Sequence, residues 1–271
     1  MSERIAFIGG GNMASAIIGG LIKQGFANDH IEVIEPSVEA QRLLKEQFSI
    51  TAQDRPGAFL SGVDLVVWAV KPQVFKEVAL LARFHIKSAL HLSVAAGIPS
   101  DSIARWLDSE RVVRSMPNTP ALVGLGITGL FARPGASAED RRWVQRVVST
   151  VGQFLWFDQE EELDAVTALS GSGPAYVFYF MEGMITAGTE MGLSREKARK
   201  LALETFRGAS ALACSAIEPP EILRQRVTSK GGTTHAAIQT MEDSHMKDLF
   251  SRAIFAAQQR ARELGEEFGD N

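Results

Sequence analysis

A short apolar run, Arg4–Ile8 (RIAFI), passes without a break into GGGNMASAIIGGLI. Beyond the glycines, Met13, Ile17, Leu21 and Ile22 recur at helical spacing, so the stretch reads as a strand, a glycine turn and a helix. No other feature constrains the fold as much. The glycines fit Gly9-x-Gly11-x-x-Ala14, a variant of the dinucleotide-binding turn. Gly9 permits the tight turn, Gly11 lets backbone approach a pyrophosphate, and Ala14 keeps the helix close to the strand. The helix N-terminus offers its unpaired N–H groups to the phosphates. Taken alone, the motif also reads as a plain strand-to-helix turn without a ligand.

The following residues strengthen the first reading. Ile31–Glu35 (IEVIE) is a second strand, and Glu35 stands at its carboxyl end, where an acid meets the adenosine ribose. A carboxylate there favours the ribose hydroxyls of NAD and repels the additional phosphate of NADP. Ser37 and the start of the next helix are, in contrast, donors suited to that phosphate. No arginine follows the strand immediately, which leaves the choice between NADPH and NADH open.

Asp64–Gln73 (DLVVWAVKPQ) is continuously apolar, as a strand covered on both faces should be, and ends at Lys71-Pro72. Lys71 is either an ordinary surface lysine or a contact to cofactor or substrate, since α/β sheets bind ligands at this edge. Ala89–Pro99 and Arg111–Pro120 are further strand-and-turn units, and GITGLFA and QFLWF, with a helix over Ser137–Val148 between them, extend the same sheet. About six to eight strands alternating with helices predict an α/β, doubly wound, Rossmann-like domain over residues 1–160.

From residue 161 to 271 the periodicity is helical. A helix is expected to start at Pro174, with a stripe from Val177 to Ile185 wide enough for full burial. Another starts after Ser194 as N-cap, with Lys197 where a capping box would have an acid. Met246, Leu249, Phe250, Ala253, Ala257, Ala261, Leu264 and Phe268 mark a last helix and read as core. Helices apolar on more than one side form either a compact bundle or, the preferred reading, an all-helical dimerisation domain packed against a twin subunit.

Composition excludes rather than identifies. A hydrophobic fraction of 45%, a charged fraction of 22% and a net charge of −4 give no general pull toward nucleic acid or anionic membrane. The opening residues are too short an apolar run for a signal peptide, and no stretch reaches a membrane span's length. A lone cysteine, Cys214, fits a reducing compartment. The expectation is a soluble cytoplasmic protein.

Missing motifs narrow the chemistry. There is no HExxH, and the five histidines lack metal-ligand spacing, so no metal is expected. Tyr176 and Tyr179 are followed four residues on by Phe180 and Gly183, which excludes a Tyr-xxx-Lys acid–base pair. Cys214, in an alanine-rich helix, reads as a small core residue, and His235 as a packing or capping residue rather than a catalyst. A nicotinamide enzyme without a strong acid suits an imine, which can take up its proton before hydride arrives. Such a protein mainly orients hydride donor and C=N carbon and excludes water.

Val227–Ile238 (VTSKGGTTHAAI) supplies hydroxyls and a glycine turn opening a helix, suited to a substrate carboxylate. With the preceding Pro219–Gln225 (PPEILRQ) it closely resembles the signature of pyrroline-5-carboxylate reductases. LSGSGPAYVF (Leu169–Phe178), AVKP (Ala69–Pro72), MPNTP (Met116–Pro120) and FIGGGNMASAIIGGL resemble the same family, in order over nearly the whole chain.

The resemblance implies reduction of L-1-pyrroline-5-carboxylate to L-proline by NADPH or NADH, the last step of proline synthesis. It implies a C-terminal domain interleaved with that of a second subunit, and often a ring of such dimers. On matching positions, it places Gly9, Gly11, Asn12 and Met13 along the pyrophosphate, Ala69 and Lys71 along the nicotinamide half, and Asn118 near the carboxamide. It gives the Thr234 hydroxyl to the substrate nitrogen, and Ser229, Gly231, Gly232 and Thr233 to the carboxylate. Lys230 departs from the family, in which many members have proline.

Three readings remain from sequence: this imine reductase, another nicotinamide enzyme of similar plan, and a dinucleotide sensor whose helices only oligomerise. A lysine or histidine acid on the central helix would favour the second, and Val177–Ile185 offers neither. A sensor has no need of the Ser229–Thr234 loop.

Overall fold

The computed structural model describes residues 3–269, and these divide into two compact units. One runs up to Ser172 and includes the chain from Ala257 onward; the other is Gly173–Ala256.

The first unit is built on a seven-stranded sheet in the order β2-β1-β3-β4-β5-β6-β7. Its strands are β1 (Ile5–Ile8), β2 (Ile31–Ile34), β3 (Leu65–Trp68), β4 (Leu90–Ser93), β5 (Val112–Met116), β6 (Gly126–Ala132) and β7 (Gly152–Trp156). Neighbours from β2 to β5 are parallel. They are joined by crossover helices α1 (Asn12–Lys23), α2 (Val38–Phe48), α3 (Pro72–Ala82) and α4 (Ser100–Leu107). Only a 3₁₀ turn, Thr119–Val123, separates β5 from β6, too short for a crossover, and β6 is accordingly antiparallel to β5. Helix α5 (Ala138–Val148) then restores a parallel β6–β7 pair.

The continuous apolar strands are explained by cover on both faces. Ile5 and Phe7 point with Val33, Leu65 and Val67 into a core closed by α1, α2 and α5. Ala6 and Ile8 point with Val66 and Trp68 into a second core closed by α3 and α4. Trp68 is fully buried against Phe75, ring centroids 4.9 Å apart. Each such large apolar side chain contributes about 1.5–3 kcal/mol relative to exposure. On α5, Ser137 and Asp140 form a reciprocal capping box, and Arg111 Nη2 lies 2.7 Å from Asp140 Oδ1. Burial would raise the Asp140 carboxyl, but Arg111 and Ser137 outweigh it and hold it below the usual range.

Beyond the free edge of β2, Gln53 forms one parallel bridge with Ile34. Its N–H donates to Val33 O (2.9 Å), and its carbonyl accepts Glu35 N–H (2.8 Å). The sheet therefore continues past β2 for a single residue.

After β7 come α6 (Glu162–Val166) and a π-turn, Thr167–Gly171. The helices that follow are α7 (Gly173–Glu190), α8 (Arg195–Ser215), α9 (Pro220–Arg226), α10 (Thr233–Asp243) and α11 (Met246–Gly269). Pro174 lies in the first turn of α7, as its fixed φ predicts. Ser194 caps α8 by accepting Lys197 N–H. The helices α7 and α8 approach closely because Gly188 has no Cβ, which would stand 3.0 Å from that of Ala198. Phe250 on α11 meets Tyr176 and Phe180 on α7 edge-on.

Three burial expectations fail in this single chain. The α7 stripe is not fully buried, since Val177 and Met184 are exposed. On α11, Met246, Leu249, Phe250 and Ala253 are exposed rather than core. Cys214 on α8 is likewise exposed. The reason is physical: the second unit is an array of helices with apolar residues on several sides and too few neighbours within one chain to cover them. Among the described residues, no helix is long and apolar enough to cross a membrane.

Candidate active site

In the first unit, the turn after β1 forms a cradle. Gly9 adopts φ +100°, and a Cβ there would come within 2.5 Å of Ala69 O at the end of β3. Only glycine fits both the conformation and the approach. A Cβ on Gly11 would meet nothing within 4 Å, so the chain there faces open space. Gly11 is the N-cap of α1 and no side chain caps that end. The first N–H groups of α1, from exposed Asn12 and half-buried Met13, are thus directed at a space without side chains, which fits a pyrophosphate.

Glu35 sits where the ribose acid is expected, with a role the sequence did not reveal. Its Oε2 accepts the N–H of Gly10 and its Oε1 that of Ser37, each at 2.8 Å. The carboxylate therefore ties the glycine turn to the start of α2, for which Ser37 is the N-cap. Ser37 itself is exposed.

Half-buried Ala69 and exposed Lys71 follow β3 at the carboxyl edge of the sheet. Lys71 is the N-cap position of α3 and makes no ion pair with another described residue. Asn118 is 9% exposed; its Nδ2 donates to Ser170 O (3.2 Å), and its Oδ1 accepts Ile127 N–H (3.0 Å). Its amide thus fastens the turn after β5 to β6 and the π-turn, with one N–H left over.

In the second unit, Ser229–Gly232 is a tight turn. Gly232 N–H donates to Ser229 O at 3.0 Å, and Gly231 has φ +76°. Lys230 is absent from the positive-φ residues, which makes this a type II turn with Lys230 at its second position. The turn delivers the chain to α10, whose N-cap, Gly232, provides no side-chain cap. Thr233 is exposed and Thr234 half-buried in the first turn of α10, where uncapped N–H groups favour an anion. His235, expected to pack or cap, does neither: it is exposed three residues past the N-cap Gly232, and no side chain caps that end.

A cavity of about 560 Å³ opens beside Asp64, Ser88, Arg111 and Asp140. These residues flank the amino ends of the strands, opposite the glycine turn and away from the edge at which such sheets bind ligands. The described residues hold no cluster of three or more His, Cys, Asp or Glu suited to a metal ion.

Comparison with solved structures supports the architecture. A pyrroline-5-carboxylate reductase from Coxiella burnetii superposes with a TM-score of 0.90 at 36% identity, covering 97% of this chain and 99% of that one. A Plasmodium falciparum pyrroline carboxylate reductase with NADP bound gives 0.87 at 28% identity, covering 97% and 98%. Residues 4–97 match the family described as NADP oxidoreductase, coenzyme F420-dependent, and residues 160–264 match pyrroline-5-carboxylate reductase dimerisation. Fold and cradle together define the class: a dinucleotide-dependent oxidoreductase with a helical dimerisation domain. The Pseudomonas aeruginosa pyrroline-5-carboxylate reductase is 44% identical over 99% of both chains, and that of Arabidopsis thaliana 35% identical over 98% of this chain and 96% of its own. The chain belongs to the pyrroline-5-carboxylate reductase family.

Proposed function

We propose that the chain reduces L-1-pyrroline-5-carboxylate to L-proline at the expense of NADPH, with NADH as the alternative donor, completing proline synthesis. The observation that carries this reading is the uncapped type II turn opening α10, in a chain related end to end to reductases of that name.

The bound dinucleotide supplies hydride to the C=N carbon of the substrate. The chain's part is to hold both molecules. Gly9, Gly11, Asn12 and Met13 line the pyrophosphate, with free backbone N–H groups at the start of α1; Glu35 and Ser37 face the adenosine ribose; Ala69, Lys71 and Asn118 border the nicotinamide half. Ser229, Gly231, Gly232 and Thr233 hold the substrate carboxylate, and the Thr234 hydroxyl hydrogen-bonds the ring nitrogen. That nitrogen takes its proton from water before hydride arrives, so a positioned strong acid is unnecessary. The functional division follows these roles, with residues 1–160 for the dinucleotide and 161–271 for substrate and dimerisation. The match to the dimerisation family and the exposed apolar residues of α7, α8 and α11 support a homodimer through these helices. A ring of dimers and a cytoplasmic location complete the proposal.

The test is a spectrophotometric assay with pyrroline-5-carboxylate and either reduced cofactor. Oxidation of at least one, with proline as product, is the expected result. Oxidation of neither refutes the proposal.

A further inference from the structure

We propose that Arg55 is the cation that receives the 2′-phosphate of NADPH, an inference that rests on the dinucleotide-binding role proposed above. A phosphate on the adenosine ribose would lie at the carboxyl end of β2, where an arginine nearby is the usual means of accepting it. The residues next to the strand in sequence provide none. Glu35 is acidic and engaged with Gly10 and Ser37 N–H groups. On α2, Arg42 is paired with Glu46 at 2.7 Å, and Lys45 Nζ donates to Thr51 Oγ1 at 3.0 Å.

Arg55 arrives from the other side. The Gln53–Ile34 bridge aligns the 53–55 segment parallel to the end of β2. Asp54 and Arg55 therefore leave the sheet at the same edge as Glu35 and Pro36. Pro56 follows and disfavours helical backbone at Arg55, where the chain bends away from the sheet. The Arg55 side chain is 87% exposed, and its ion pair with Asp54, at 3.9 Å, is long and solvated. At the end of β2, unlike Arg42 and Lys45, it is a cation with no strong partner to give up. Glu35, Glu39 and Asp54 bring opposing charge, so Arg55 decides whether a phosphate dianion is tolerated. Its planar fork can engage two phosphate oxygens while Ser37 donates a third bond.

The experiment measures equilibrium binding of 2′,5′-ADP, 5′-ADP, NADPH and NADH to the full chain and to its Arg55→Gln and Arg55→Lys variants. In Arg55→Gln, 2′,5′-ADP and NADPH should bind roughly ten- to hundredfold more weakly, the range of a charge-assisted hydrogen bond, with 5′-ADP and NADH unchanged. Arg55→Lys should recover part of the loss. Unchanged NADH binding also shows that the variant is folded. An unaltered NADPH-to-NADH affinity ratio in Arg55→Gln overturns the role of Arg55 while leaving the dinucleotide site intact. A wild-type chain that binds none of the four nucleotides overturns the proposed function as well.

Discussion

Glu35 Oε2 accepts the backbone N–H of Gly10 at 2.8 Å, so the acid that ends β2 and the turn that ends β1 are mechanically joined. In the proposed site, a ribose would share this carboxylate with the glycine turn. Replacing Glu35 by Gln removes a charged acceptor from two amides and also removes a charge that repels a 2′-phosphate. Only the first effect acts on NADH, whereas for NADPH the two oppose each other. We expect NADH to bind about tenfold more weakly, and NADPH to change less. Fluorescence titration checks this; equal losses would mean that Glu35 only anchors the loop.

Thr234 stands in the first turn of α10, half-buried beside the type II turn. Thr234→Ala removes the hydroxyl assigned to the ring nitrogen without disturbing the dinucleotide cradle. Turnover of pyrroline-5-carboxylate should fall roughly ten- to a thousandfold, as for loss of a transition-state donor. Cofactor affinity should stay the same. Wild-type kcat in this variant would remove Thr234 from the mechanism.

Lys230 occupies the second position of a turn whose third residue, Gly231, needs φ +76°. Proline is preorganised for that second position. Lys230→Pro should raise stability by about 0.4–1 kcal/mol in denaturant titration. Gly231→Ala should do the reverse and weaken substrate binding, because a Cβ is strained at this φ. A stabilised Gly231→Ala would contradict the turn assignment.

His91 on β4 is buried; desolvation first, then the Arg111 charge, lowers its pKa to about 3. In the unfolded chain it titrates near the ordinary 6.5. Between these values the unfolded state holds the extra proton, so stability is fully present above 6.5 and is lost as pH falls toward 3. The unfolding constant should rise about tenfold per pH unit across this window from this residue alone. Chemical denaturation of wild type and His91→Phe at several pH values checks it; the variant should show the shallower dependence.

Leu201 and Leu212 on α8 are 59% and 57% exposed, and Ile217 just beyond is fully exposed. Hydrophobic residues at that exposure, repeated along a helix, call for a partner surface. Leu212→Glu should shift sedimentation from dimer toward monomer and lower the apparent Tm, with the first unit's nucleotide binding retained. Sedimentation indistinguishable from wild type would move the dimer contact away from α8.

The alternation of strands and helices, the glycine cradle and the helical second half were legible from the residues. Each rests on local chemistry: an apolar run between covered faces, a glycine that can take positive φ, a proline or serine that starts a helix. The antiparallel β6 was not legible, because strand direction depends on whether the linking segment folds into a crossover helix. The fates of Cys214, His235 and the α7 and α11 stripes were misread for a related reason. Periodicity tells that a face is apolar, and only packing tells whether one chain has enough neighbours to cover it.

The nucleotide end of the site divides in the same way. Sequence by itself determined the spacing of Gly9, Gly11 and Glu35 along a strand, turn, helix and strand, because that spacing is a local backbone pattern within about thirty residues. Only the tertiary structure decided that the Glu35 carboxylate is taken up by Gly10 and Ser37, and that Arg55 emerges beside it. A hydrogen bond from Glu35 N–H to Gln53 O joins segments with α2 between them, and no local pattern encodes that bond. The charge balance at the carboxyl end of β2 is a sum over chain segments that meet in space, so it exists only once the sheet has assembled.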